Sequence, residues 1–144
     1  MKNNEKGITL VALVITIIVL LILAGVTILA LSGDNGILNR ASQSKVSTEI
    51  ANAKDAFTTV AAEGITEYYN SKYVEGNNTE TATLQKTVYD KITSSSISST
   101  FVNTTSSTSP STIVTNVNDA TGAALTATID TNGKIIWTND KMTK

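Results

Sequence analysis

The chain has 144 residues, a net charge of −1 and only 16% charged residues, so it carries neither the basic excess of a nucleic-acid binder nor an acidic solvating tail. Cysteine and histidine are both absent, which excludes disulfides, thiolate nucleophiles, imidazole bases and most zinc or haem ligation. The length suffices for one small domain, which must be held by packing alone.

Residues 1–7, Met1-Lys2-Asn3-Asn4-Glu5-Lys6-Gly7, are polar and carry two lysines. Ile8–Leu31 then runs for 24 residues without a charge. As a helix it measures about 36 Å, against a hydrocarbon core of about 30 Å. Its only hydrophilic side chains are Thr9, Thr16 and Thr27, whose hydroxyls can bond back to helix carbonyls. A domain this small cannot cover all sides of such a helix, which argues against a buried core element. A cleaved secretory signal has a shorter apolar core and a small-x-small site. Ser32-Gly33-Asp34-Asn35-Gly36 matches that site poorly. Lysines on the leader side hold that end in the cytoplasm, so the C-terminal part faces out.

The segment KGITLVALVITIIVLLILAGVTI resembles the prepilin-type N-terminus of type IV pilins and type II secretion pseudopilins, in the form common in clostridia-like Gram-positive bacteria. The likeness runs through GDNGILNRA and does not extend into the rest of the chain. It implies that a membrane prepilin peptidase cuts after Gly7 and that Ile8 becomes an N-methylated amino terminus. Glycine at the cut enters a peptidase site without a Cβ clash. Cutting there removes the leader and leaves the helix embedded, so the subunit waits in the bilayer before joining a filament. The partners implied are copies of itself, the prepilin peptidase, the pilus assembly machinery and, before assembly, the lipid bilayer; no nucleic acid is evident. The implied location is the cell membrane, then an extracellular filament on the cell surface. Pilins usually carry a glutamate five residues after the cut, which pairs with a neighbour's amino terminus; Ala12 stands there. Either the hydroxyls of Thr9 or Thr16 replace it, or the subunit is a minor or tip pilin. Assembly then rests on helix packing, with Ala12, Thr16, Ala24 and Gly25 as the candidate contact residues.

Gly33, Asn35 and Gly36 interrupt the helix, as a true turn or a softened stretch of one long helix; Asp34 or Asn35 can cap the next helix. Residues 32–69 read as an amphipathic continuation, with Ile37, Ala41, Val46, Ile50, Ala53, Phe57, Val60 and Gly64 at steps of mainly 3 and 4. Lys45 and Glu49 are four apart and can pair. Residues 70–144 read as a small β-rich head. Within it Leu84–Ile92 is a short helix or a strand. In residues 93–112, 15 of 20 are Ser or Thr, which predicts a surface loop. The sequons at Asn77 and Asn103 read as unmodified polar loop or as glycan acceptors. Thr112–Val117 is a strand, and Ala123–Asp130 with Lys134–Asn139 forms a hairpin. A three-residue loop with Gly133 in the left-handed position pairs Ile129 with Ile135 and Ala127 with Trp137. That register puts Leu125, Ala127, Ile129, Ile135 and Trp137 on one face, opposite the Val46/Ile50/Phe57 stripe. The fold class is therefore α+β: a long N-terminal helix, membrane half then amphipathic half, packed on a small C-terminal antiparallel sheet.

No catalytic constellation emerges from this sequence, and the reading is not an enzyme. The serines lie in polar tracts without an identifiable base. Asp119, Asp130 and Asp140 lack EF-hand spacing, no phosphate-cradling glycine motif occurs, and no metal or cofactor is called for. Aromatic conduction is excluded from a core made of Ile8–Leu31, since the first aromatic residue is Phe57. The leading expectation is a structural subunit of a type IV pilus-like filament. The alternatives are a single-pass surface or adhesion protein that does not polymerise, or a type II secretion pseudopilin.

Overall fold

A computed structural model of the chain describes residues 4–33, 36–74, 83–106 and 111–141. In chain order these form α1 (Asn4–Ser32), α2 (Ile37–Tyr73), α3 (Leu84–Ser94), α4 (Ser96–Phe101), β1 (Val102–Ser106), β2 (Ser111–Asn118), β3 (Ala124–Ile129) and β4 (Ile135–Thr138). The fold is α+β, with one four-stranded antiparallel sheet in the order β1-β2-β3-β4. The chain divides into two compact units, Met1–Ser42 and Gln43–Lys144.

In the first unit, α1 is built from Leu, Ile, Val and Ala without an internal proline, and it closes on glycine. The Gly33 N–H donates to the Leu29 carbonyl at 3.1 Å, the Gly36 N–H to Gly33 at 2.7 Å, and the Arg40 N–H to Gly36 at 3.1 Å. The helix is thus interrupted between Ser32 and Ile37. The proposed caps Asp34 and Asn35 lie outside the described residues, as does the sequon asparagine Asn77.

In the second unit, α2 lays Ile50, Ala53, Phe57, Val60, Ala61 and Gly64 into the interior. The sheet answers with alternate residues, as period-2 geometry requires: Ile113 and Val117 from β2, and Leu125, Ala127 and Ile129 from β3. One cluster joins Ile50, Ala53, Val117 and Leu125; another joins Phe57, Val60 and Ala61 to Val88, Tyr89 and Ile92 of α3 and to Ile113, Ala127 and Ile129. The stripe on α2 begins later than the sequence pattern suggests, because Ile37 is 70% exposed and Ala41 is also exposed, while Val46 is partly buried.

The hairpin has the expected register. Ile129 faces Ile135, Ala127 faces Trp137, and the Asp130 N–H donates to the Lys134 carbonyl at 3.0 Å. Gly133 adopts φ +76°, which an L side chain rarely adopts. Trp137 is only partly buried and meets Phe57 edge to face, with ring centroids 5.4 Å apart. Of the two readings of Leu84–Ile92, the helix is correct. Its N-cap Thr83 accepts the Lys86 N–H, and Val88 and Ile92, four apart, are both fully buried.

The Ser/Thr-rich stretch corrects the expectation of a loop over 93–112. It holds the end of α3, all of α4 and β1, and the start of β2. Hydroxyls there bond back to nearby carbonyls, Thr93 to Tyr89, Ser95 to Ile92 and Ser99 to Ser96, while Ile97, Phe101 and Val102 supply enough apolar surface to anchor the stretch on the core. The head is accordingly not purely β-rich; it also contains α3, α4 and the C-terminal part of α2.

Candidate assembly surface

Each of the large apolar side chains along α1 is open. Ile8 is 69% exposed and Leu29 75%, and even the least exposed of them, Leu31, is at 38%. This is the one helical run among the described residues long and apolar enough to cross a membrane, with a mean hydropathy of 3.1 in its most apolar window and none of that window buried. An apolar surface open on all sides has no aqueous solution; it needs lipid or other chains around it.

The polar atoms of α1 are arranged to tolerate such surroundings. The Thr16 hydroxyl donates to the Leu13 carbonyl at 2.8 Å and that of Thr27 to Leu23 at 2.7 Å. Each hydroxyl has then placed its proton on its own helix and keeps oxygen lone pairs as acceptors. Asn4–Gly7 are helical and continuous with the apolar run, so Gly7 and Ile8 lie within α1. A Cβ added at Gly7 or at Gly25 would meet nothing within 4 Å.

At about 100° per residue, Thr9, Ala12, Thr16, Thr27 and Ala30 fall within an arc of about 60°, at steps of 3, 4, 11 and 3. Leu20 and Leu23 complete this stripe in the gap. Ala12 and Thr16 are therefore brought together. Ala24 lies to one side of the stripe, and Gly25, with Gly7, lies on nearly the opposite face. The four candidate contact residues do not form one patch but mark two sides of a cylinder. The whole stripe, rather than Thr16 alone, is the feature that residue-by-residue reading misses. Its signal is in the sequence, as the common helical phase of all three threonines.

In the second unit three aspartates bind groups of their own chain. Asp119 is buried, and its Oδ1 accepts the Thr121 hydroxyl at 2.7 Å and the N–H groups of Thr121 and Ala123 at 2.8 and 3.0 Å. The Thr121 hydroxyl foremost holds its carboxyl below the usual value. Asp130 Oδ1 accepts the N–H groups of Asn132 and Lys134 and so fixes the β3–β4 turn. Asp140 pairs with Lys54 at 2.7 Å, and that hydrogen bond lowers its pKa. The three aspartates do not gather into a metal-binding group among the described residues. Lys45 and Glu49 stand 3.8 Å apart, both exposed. No family model, curated protein or solved structure matches the chain.

Proposed function

We propose that this chain is the precursor of a structural subunit of an extracellular pilus-like filament, cleaved after Gly7 and assembled with copies of itself through α1. The observation that carries the proposal is an apolar helix exposed on every side, preceding a head whose own core is closed. Before assembly lipid covers that helix, and afterwards other copies do. The two faces of α1 suit this exchange. A head-to-tail contact uses two different patches, and when its rotation does not close it generates a helical filament. The Thr/Ala stripe and the face bearing Gly25 are two such patches, and Ala12 on one and Gly25 on the other permit close backbone approach at those points.

The absent glutamate fits the same scheme. A free amino terminus at Ile8 requires an acceptor, and the hydroxyl oxygens of the stripe retain lone pairs for it. Cleavage requires the peptide at Gly7 to leave the helix, and glycine makes that cheaper than alanine by about 1 kcal/mol. The polypeptide acts without chemistry of its own; the peptidase, the methyl transfer and the assembly motor are partners.

Mass spectrometry of the mature amino terminus, with electron microscopy of sheared cell-surface material, tests the reading. The expected result is a chain beginning at methylated Ile8 and found in thin filaments. An intact Met1 in a chain that stays wholly in the membrane fraction would establish the plain anchor instead.

A further inference from the structure

The sheet is broken twice at one place. Between β1 and β2 the register passes from Val102↔Thr115 to Thr104↔Val114, and between β2 and β3 from Val114↔Thr126 to Asn118↔Ala124. Both irregularities border Thr115–Val117, where the Thr115 hydroxyl satisfies the Val117 backbone at 3.2 Å in place of ladder bonds. Asn116 faces outward in the alternation of β2, and its Nδ2 donates to the Thr100 carbonyl at 2.7 Å. Beside it lies a cleft of about 290 Å³ lined by Glu49, Asn52, Thr100, Phe101, Asn116 and Val117.

We infer that this cleft binds the terminal pyranose ring of a glycan. The volume is at the small end of ligand sites, roughly 300–1,000 Å³, and suits a single ring. Glu49 and Asn52, three apart on α2, share a face and offer a carboxylate and an amide. Asn116 has committed one of its two amide N–H groups to Thr100 and offers its Oδ1 as an acceptor. Thr100 adds a hydroxyl. Acceptors outnumber donors, which matches a ligand rich in hydroxyl donors. The partly buried ring of Phe101, with Val117, gives an apolar floor for the C–H face of a sugar. The lining itself contains no Lys or Arg, and the nearby Lys45 is already paired with Glu49 at 3.8 Å, so a phosphate or carboxylate ligand would find no cation of its own. A single carboxylate over an apolar floor likewise suits a divalent cation poorly.

The test uses the full chain in phosphocholine micelles, free of sugar detergents. Methyl glycosides of glucose, galactose, mannose and N-acetylglucosamine are each probed by saturation-transfer NMR. At least one should receive saturation and bind with millimolar affinity. Glu49→Gln and Asn52→Ala should each weaken that binding by about tenfold with unchanged circular dichroism. Absence of transfer to all four, or transfer unchanged in both variants, overturns the inference. So does a loss of filaments in the variants without sugar binding by the native chain, which would assign the cleft to a neighbouring subunit's side chain. Binding in micelles needs no polymer, so failure of the filament reading and failure of this one are separately visible.

Discussion

Gly64 of α2 sits directly against α3. A Cβ there would lie 3.1 Å from the Val88 Cα and 3.2 Å from the Lys91 Cβ. Gly64→Leu should force α3 outward and cost about 1–3 kcal/mol or more, read as a lower urea midpoint by Trp137 fluorescence. A midpoint equal to the native one would mean that α3 is not seated as described. The aspartates carry a second prediction. The carboxyls of Asp119 and Asp140 are held below their ordinary value of 3.8, so their contribution is complete above that pH and is lost as pH falls through the lower folded values. Lys91, raised above 10.5 by its hydrogen bond to Glu67, behaves oppositely: its contribution is present below that value and is lost as pH rises through the folded one. The urea midpoint should therefore fall below about pH 4, and Asp119→Asn should be less stable at pH 7 and lose less on acidification. Parallel native and variant pH profiles would remove Asp119 from this account.

Among the elements, legibility followed apolar content. The β3–β4 register could be read because alternation and one glycine agree on a single buried face. The interior face of α2 could be read from steps of 3 and 4. By contrast, β1 carries one apolar residue, Val102, and α4 two, Ile97 and Phe101, in a tract whose hydroxyls give no periodic signal. The cleft was not legible, because its lining joins α2, α4 and β2, and nothing in the sequence pairs Glu49 and Asn52 with Thr100 and Asn116. On α1, Gly25→Leu should fill the approach on one face and reduce filament yield while leaving membrane insertion intact. Thr16→Val keeps shape and removes the hydroxyl, so it should weaken assembly only if that oxygen accepts the neighbour's amino terminus. Native yield from Gly25→Leu would refute close packing on that face. In the head, Trp137 is the single tryptophan and lies half-covered against Phe57. Its emission should fall between the buried and fully exposed extremes and shift red in Phe57→Ala, a change that should also cost about 3–5 kcal/mol. Emission typical of a free indole in the native chain would contradict the register.

At the scale of the molecule, the two units dispose of their apolar surface in opposite ways. The first unit leaves its apolar surface outward, and the second hides it without a disulfide. The proposed processing step links the two, since it changes the charge and length of the first without touching the second. Gly7→Leu should leave the leader attached, keep the subunit in the membrane and abolish filaments; a mature-sized product with normal filaments would count against cleavage at this junction.

The strand order of the sheet has a kinetic consequence. Each strand lies beside its neighbour in sequence, joined by four or five residues. Every ladder can therefore close over a short loop, at a small entropic cost, before any distant segment arrives. A sheet with crossovers would have to hold apolar edges open while it waited. This one can zip from the β3–β4 turn, already fixed by Asp130 and Gly133, and then dock on α2 as a finished surface. Such a head is suited to maturing alone, in whichever compartment receives it, with neither a redox enzyme nor an energy source at hand.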